Sequence, residues 1–361
     1  MSWWVVAGHI ATSLAFSNFH NDLPVDVFII LSGFVIFRLI DLKREAYIPF
    51  ITRRAFRLFP AYLLALAISV LLLPVSQQVF ANLPFQGPAN ATRVQLAMEA
   101  QRHFWPHFFV HLSLLQGLVP GWLLKSSPLT LVGQAWSVSL EWQFYLVAPL
   151  AFYAIQHRRL WLPLAIAIVV LTLTTRYVTT AYLGAKVLMF GVGLGSYLYV
   201  RAVETGKPLL PALGCWGAFA ALSIAKGGLI EIVPLGLWAI VLFATLSPPR
   251  TLLRRVNDIL DAPILLRLGA ISYSTYLIHM VALVSTGWVL NHFGLPRTAY
   301  AILLAALTVA LTYFLSEAMF RWVETPMNKF GQRAAKAIAR RQEPALGNIA
   351  VVAADSAKIQ A

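Results

Sequence analysis

The sequence predicts an all-α integral membrane protein of about ten transmembrane helices packed in one bundle. Composition is the first reason: of 361 residues, 59% are hydrophobic and only 12% charged, where a soluble domain holds roughly 25% charged and 45–50% apolar residues. Mean hydropathy is +0.72. The second reason is spacing, because apolar runs recur from residue 3 to residue 320 at about the 20-residue length that crosses a bilayer. The third is where the charges fall. A net charge of +14 could suit a nucleic-acid backbone, but the cations flank apolar runs, as membrane topology requires. No nucleic-acid partner is expected. The lone Cys215 excludes an intramolecular disulfide and any Cys-rich metal site. No cleavable signal is visible, since the first apolar run contains His9 and lacks a basic leading region.

Taken in order, the expected spans lie near 1–16, 24–40, 57–75, 135–156, 160–177, 183–200, 209–226, 229–247, 267–290 and 298–320. Basic residues gather at 38–57, at Arg158 and Arg159, at Arg201 and Lys207, at 250–267 (Arg250, Arg254, Arg255, Arg267) and at 321–358 (Arg321 to Lys358), groups that hold 21 of the 28 Lys and Arg. Arg93, Arg102, Lys125, Arg176, Lys186, Lys226 and Arg297 fall in the alternate loops. By the positive-inside bias this gives a multi-pass protein of the cell membrane with both termini cytoplasmic. Residues 104–119, FWPHFFVHLSLLQGLV, are apolar enough for a further span, but a crossing there would invert every later loop. Pro106 also breaks its start, so the stretch is read as interfacial or re-entrant. The membrane domain covers 1–330, and 331–361 forms a cytoplasmic C-terminal tail. The first span is short: sixteen residues reach roughly 24 Å against a hydrocarbon core of roughly 30 Å. Either the chain starts part-way into that helix or the helix does not cross.

Ionisable groups inside a span are costly and mark functional candidates. His9, Glu141 and His279 stand out, all in the outer half or near the middle of the bilayer, roughly 10 Å from its outer face. A common depth would let them share one polar cavity, although burial against a neighbouring helix would also satisfy each. Asp26, opening the second span in LPVDVFIILSGF, reads as a cap or hydrogen-bond partner. Ser32 and Gly33 in the same run are small residues that let helices approach. In ITRRAFRLFPAYL, Arg53, Arg54 and Arg57 fall three and four apart and converge on one helix face. Such a fork suits phosphate, a lipid head group or a topology anchor. His103, His107 and His111 follow Glu99 every four residues and invite a metal reading. The outer two stand about 12 Å apart along a helix, too far to share one ion, so no metal is expected.

The blocks GHIATS, VDVFIILSGF, RRAFRLFPAYL, AWSVSLEWQFYLVAPL, ISYSTYLIH and VETP, in that order over residues 8 to 326, resemble the acyltransferase family 3 integral membrane proteins. That resemblance implies a membrane O-acyltransferase that moves an acyl group, commonly acetyl, from acyl-CoA to a hydroxyl of a sugar, glycolipid or polysaccharide. It implies acyl-CoA as donor substrate and no bound cofactor. His9 matches the family's first-helix histidine and is the expected catalytic base or nucleophile. Arg54 and Arg57, with Arg53 adjacent, match its paired arginines and would contact the CoA phosphates from the cytosol. Glu141 matches the acid of its Trp-Ser-Leu-x-x-Glu-x-x-Phe-Tyr block and would orient the imidazole or hold the acceptor. Ser137 and Tyr145 of that block, Tyr276 and His279 of the late Tyr-Leu-x-His, and Asp26 would support the site or the acceptor. Two departures stand out: the family's arginine eleven residues before the histidine would precede Met1, which suggests an omitted N-terminal segment, and its glycine before Val-Asp is Pro24. The competing class is a transporter or flippase of a saccharide or lipid-linked substrate, which inverted repeats would favour. No internal symmetry is visible.

Overall fold

A computed structural model describes residues 1–16, 19–246 and 252–359, the side chains of 252–254 and 343–359 apart. Arg250, the last residue of the expected 229–247 span and the side chains of Arg254 and Lys358 therefore lie outside the described residues. Among the described residues every regular element is helical. The chain runs through α1 (Ser2–Ser13), α2 (Leu23–Lys43), α3 (Tyr47–Leu71), α4 (Leu73–Ala81), α5 (Pro88–Arg102) and α6 (Phe104–Leu112). It continues with α7 (Trp136–Gln156), α8 (Trp161–Thr174), α9 (Leu183–Thr205), α10 (Leu210–Gly227) and α11 (Ile232–Leu246). The last five are α12 (Leu252–Leu260), α13 (Pro263–Ala270), α14 (Ser272–Leu290), α15 (Arg297–Met319) and α16 (Thr325–Ile359).

Nine helical stretches among the described residues are long and apolar enough to cross a membrane, in agreement with a multi-pass bundle. The tenth expected span is α1, which has 12 helical residues and so extends only about 18 Å. The 104–119 stretch does not form a span either. Its helix α6 has nine residues, about 13 Å long, and a separate 3₁₀ turn follows at Gln116–Leu118. That short helix turns Trp105 and Phe109 outward, 63% and 61% exposed, and buries His107 and His111.

Two boundaries differ from the sequence expectation in ways that shape the site. Helix α3 starts at Tyr47 rather than near 57, because Pro49 is tolerated in a first turn where no amide partner is needed. The three arginines consequently lie within the helix, not ahead of it. At the other end, α15 does not stop near 320 but passes through one π turn, Phe320–Glu324, into α16. Helix α16 runs unbroken through residue 330 and folds back on α3, with the rings of Phe56 and Phe330 5.1 Å apart and Ala335 buried.

Glycine sets the closest crossing. A side chain on Gly33 of α2 would meet the Phe190 carbonyl oxygen of α9 at 2.6 Å, and one on Gly193 would meet the α2 backbone in turn. Without a hydrophobic drive between helices in lipid, such close backbone packing supplies much of the association. Helix α8 is the opposite case: it buries no residue and is apolar on every side, as a lipid-facing rim helix should be.

Candidate functional site

Two cavities meet inside the bundle. The first, of about 510 Å³, is lined by His9, Thr12, Arg93, Gln134 and Met280 among others. The second, of about 350 Å³, is lined by Ser32, Arg54, Arg57, Glu141, Tyr145 and Tyr273. Val25 of α2 and Tyr276 of α14 line both, so these two side chains form the partition. Tyr276 is held in place by two bonds: its hydroxyl donates to the Gln134 carbonyl at 2.5 Å and accepts from Ser137 Oγ at 2.8 Å.

His9 lines the first cavity, and His279 packs behind it, with ring centroids 5.1 Å apart. His279 is buried, and its Nδ1 donates to the Tyr276 carbonyl at 2.8 Å, one turn back on the same helix. Its Nε2 is buried and has no partner. His9 is reached by Arg93, whose Nη2 stands 3.1 Å from His9 Nδ1 and 2.9 Å from Thr12 Oγ1. The other terminal nitrogen of Arg93 donates to Ser13 Oγ at 2.6 Å and Asn90 Oδ1 at 3.1 Å. Asn90 in turn staples α5 to the end of α1 through the Ser13 carbonyl, 2.9 Å away. Burial brings the Arg93 guanidinium down to about 10, which leaves it cationic at neutral pH.

The second cavity is built around arginine. Arg57 Nη1 donates to Glu324 Oε1 at 2.5 Å, and the fully buried Glu324 accepts from Ser274 Oγ at its other oxygen, 2.7 Å away. Arg57 also lies over the Tyr273 ring, 5.4 Å from its centroid. Arg53 turns aside and pairs with Glu45. Arg54 stands 5.7 Å from the Tyr145 ring centroid, with its Nε buried and unpartnered. It therefore lines the cavity as a guanidinium without a carboxylate partner among the described residues. Glu141 accepts from Ser32 Oγ at 3.2 Å and from the Tyr145 hydroxyl.

The acyltransferase domain family profile matches residues 2–317, most of the chain. The chain belongs to the acyltransferase 3 family. It is also similar to the peptidoglycan O-acetyltransferase OatA of Listeria monocytogenes serovar 1/2a, at 27% identity over 91% of this chain and 54% of the relative. The chain thus spans about half the length of that curated relative. No solved structure gives a significant match.

Set against the expected roles, the family motifs divide between the two cavities. His9, Glu141 and His279 do not share one: Glu141 lines the arginine cavity and bonds to neither histidine. The depth argument placed all three alike along the bilayer normal, but helix rotation sends Glu141 to the other side of the Tyr276 partition. Ser137 and Tyr276 build that partition, and Tyr145 stands between Glu141 and Arg54. Asp26 is an ion-pair partner: buried, it receives Lys186 Nζ at 2.6 Å. The Glu99–His111 run resolves into separate bonds. His103 pairs with Glu99 at 2.8 Å, His107 Nδ1 lies 2.9 Å from Thr130 Oγ1, and His111 Nε2 donates to the Ser127 carbonyl at 2.9 Å. Burial holds His111 down at about 3, so it anchors α6 as a neutral ring.

Two residues escaped the sequence reading. Arg93 counted only as an outer-loop cation, and Glu324 only as a letter of the VETP block. The signal for Glu324 was its place in an apolar stretch of a chain with 14 acidic residues against 28 basic ones, where a carboxylate is scarce enough to need a reason. For Arg93 no local pattern pointed to His9, since its partners in α1 lie 80 to 84 residues away.

Proposed function

We propose that the protein transfers an acyl group, acetyl in the first instance, from acyl-CoA bound at the cytoplasmic side to a hydroxyl of a polysaccharide or glycoconjugate at the outer side. The observation that carries this reading is the pair of adjoining cavities, one lined by an arginine without a carboxylate partner among the described residues and the other by the His9 imidazole, with Val25 and Tyr276 lining both. Arg54 would hold the donor's phosphates, because a planar guanidinium forms bidentate, charge-assisted bonds to them. The acyl arm would then pass the partition toward His9. There an imidazole takes the proton of the attacking hydroxyl, a role that suits a group whose ordinary pKa is about 6.5. Glu141 fixes Ser32 and Tyr145, and Tyr145 and Tyr276 keep the passage lined with hydroxyls. The relative's name places its acetyl group on peptidoglycan, which makes a polysaccharide hydroxyl the natural first acceptor to try. The five basic groups on one side of the membrane support cytoplasmic termini and a cytoplasmic donor entrance.

The test is transfer of labelled acetyl from acetyl-CoA into membranes that contain the protein and candidate polysaccharides. Wild type is expected to transfer label and release CoA, and His9→Ala to lower the rate by about 10²–10³-fold, the scale of a lost acid–base or oxyanion-stabilising group. Saccharide movement across the membrane without CoA release would instead assign the protein to transport.

A further inference from the structure

We infer that Arg93 is a positioning residue that fixes neutral His9 with its proton on Nε2, making His9 the hydrogen-bond donor and His279 the proton acceptor of the transfer. The inference deepens, and rests on, the acyl-transfer reading. It follows from which atoms can donate. A guanidinium has five N–H donors and no acceptor, so the 3.1 Å contact between Arg93 Nη2 and His9 Nδ1 is a hydrogen bond only if Nδ1 is bare. The ring proton of neutral His9 must then sit on Nε2. A carbonyl, conversely, only accepts, so the 2.8 Å contact with the Tyr276 oxygen requires the proton of His279 on Nδ1. The His279 Nε2 is left bare, buried and without a partner. A buried unsatisfied acceptor is costly and unusual, and here it belongs to a ring packed 5.1 Å from one that lines the cavity. The two imidazoles are therefore set as opposites.

The reaction divides between them accordingly. The acceptor hydroxyl oxygen bonds to the thioester carbonyl carbon, its proton passes to His279 Nε2, and the carbonyl electron pair moves onto the oxygen that His9 Nε2–H faces. A donor aimed at that developing charge is the usual source of stabilisation in acyl transfer. When the intermediate collapses, the carbon–sulfur bond breaks and the departing thiolate takes the proton back from His279. Arg93 itself touches no reacting atom. Its positive charge beside Nδ1 also opposes protonation of His9, which keeps the Nε2–H form neutral and fixed.

The decisive measurement uses the intact chain, labelled with ¹⁵N-histidine in lipid nanodiscs, with the His9 and His279 signals identified by their loss in His9→Gln and His279→Gln. The expected result is a bare Nδ1 in His9 and a bare Nε2 in His279, and a His9 proton on Nδ1 would overturn the inference without any reference to activity. In acetyl transfer, Arg93→Met is expected to lower kcat about tenfold or more at unchanged KM for acetyl-CoA, with Arg93→Lys restoring most of it because an ammonium still donates to Nδ1. A lysine variant that folds but is no better than methionine would mean that Arg93 serves only packing. His279→Gln should cost about 100-fold in kcat, and retained activity there would remove His279 as the acceptor. If wild type transfers no acetyl to any acceptor, the enzymatic reading fails, and the tautomer measurement still decides what Arg93 does to His9.

Discussion

The two cavities treat charge in opposite ways. Around the arginines, cations are met by carboxylates: Arg57 by Glu324 and Arg53 by Glu45, with Arg54 left over. Around the histidines, the cation Arg93 spends its donors on neutral acceptors, namely Ser13, Asn90, Thr12 and His9. The difference teaches what each can receive. A guanidinium without a carboxylate partner suits an anion, whereas a cavity whose cation is spent on neutral acceptors suits the uncharged groups of the proposed reaction. The partition at Val25 and Tyr276 keeps those environments apart while leaving them adjacent.

The largest expected effect that tests this contrast is at Glu324. Glu324→Ala removes the buried carboxylate that holds both Arg57, whose side chain is 39% exposed toward the cavity, and Ser274, and each lost hydrogen bond to a charged group is worth about 1.5–3 kcal/mol. The expected outcome is a large fall in the unfolding temperature of the detergent-solubilised protein, and an unchanged temperature would show that the pair does not organise the arginine cavity. Next comes Arg54→Gln, which should raise KM for acetyl-CoA about 10- to 100-fold, the worth of roughly 1.5–3 kcal/mol for hydrogen bonds to a charged group. Acetyl-pantetheine, which lacks the nucleotide phosphates, should be used about equally by wild type and this variant. If both donors suffer alike, Arg54 is not reading phosphate.

Smaller again is Gly33→Ala on α2, the helix that walls both cavities. Its new methyl group would press on the Phe190 carbonyl, an overpacking cost of about 1–3 kcal/mol. Loss of stability together with lower rates for both donors would tie the two cavities to the α2–α9 crossing. The smallest effect is expected at Arg53→Gln. Arg53 is spent on Glu45, and its loss should change KM for acetyl-CoA by no more than a few fold, measured beside Arg54→Gln. A drop equal to that of Arg54 would erase the distinction between paired and free arginines.

Much of this protein was legible without coordinates. The nine long apolar runs and the 104–119 segment as a non-span follow from apolar run length, whereas the three-arginine fork does not close, since Arg53 turns aside to Glu45. His9, Glu141 and His279 were legible as candidates because an ionisable group inside a span is costly wherever it lies, but which of them meet was not. The start of α3 was misplaced by ten residues, since the first turn of a membrane helix can carry charge that hydropathy counts as loop.

What sequence alone determined is which apolar runs are long enough to cross a bilayer, nine of the ten expected, because that depends on run length alone. Only the tertiary structure decided rotation about the helix axes and contacts between distant segments. It sent Glu141 to the arginines and not the histidines, brought Glu324 back onto Arg57 across more than 260 residues, and set Arg93 against His9 across 84. The physical reason is that hydrophobic burial in a bilayer fixes depth but is nearly indifferent to azimuth. Azimuth is settled by close packing at glycines and by the pairing of buried polar groups, and neither partner of such a pair carries the other's address in its own stretch of sequence.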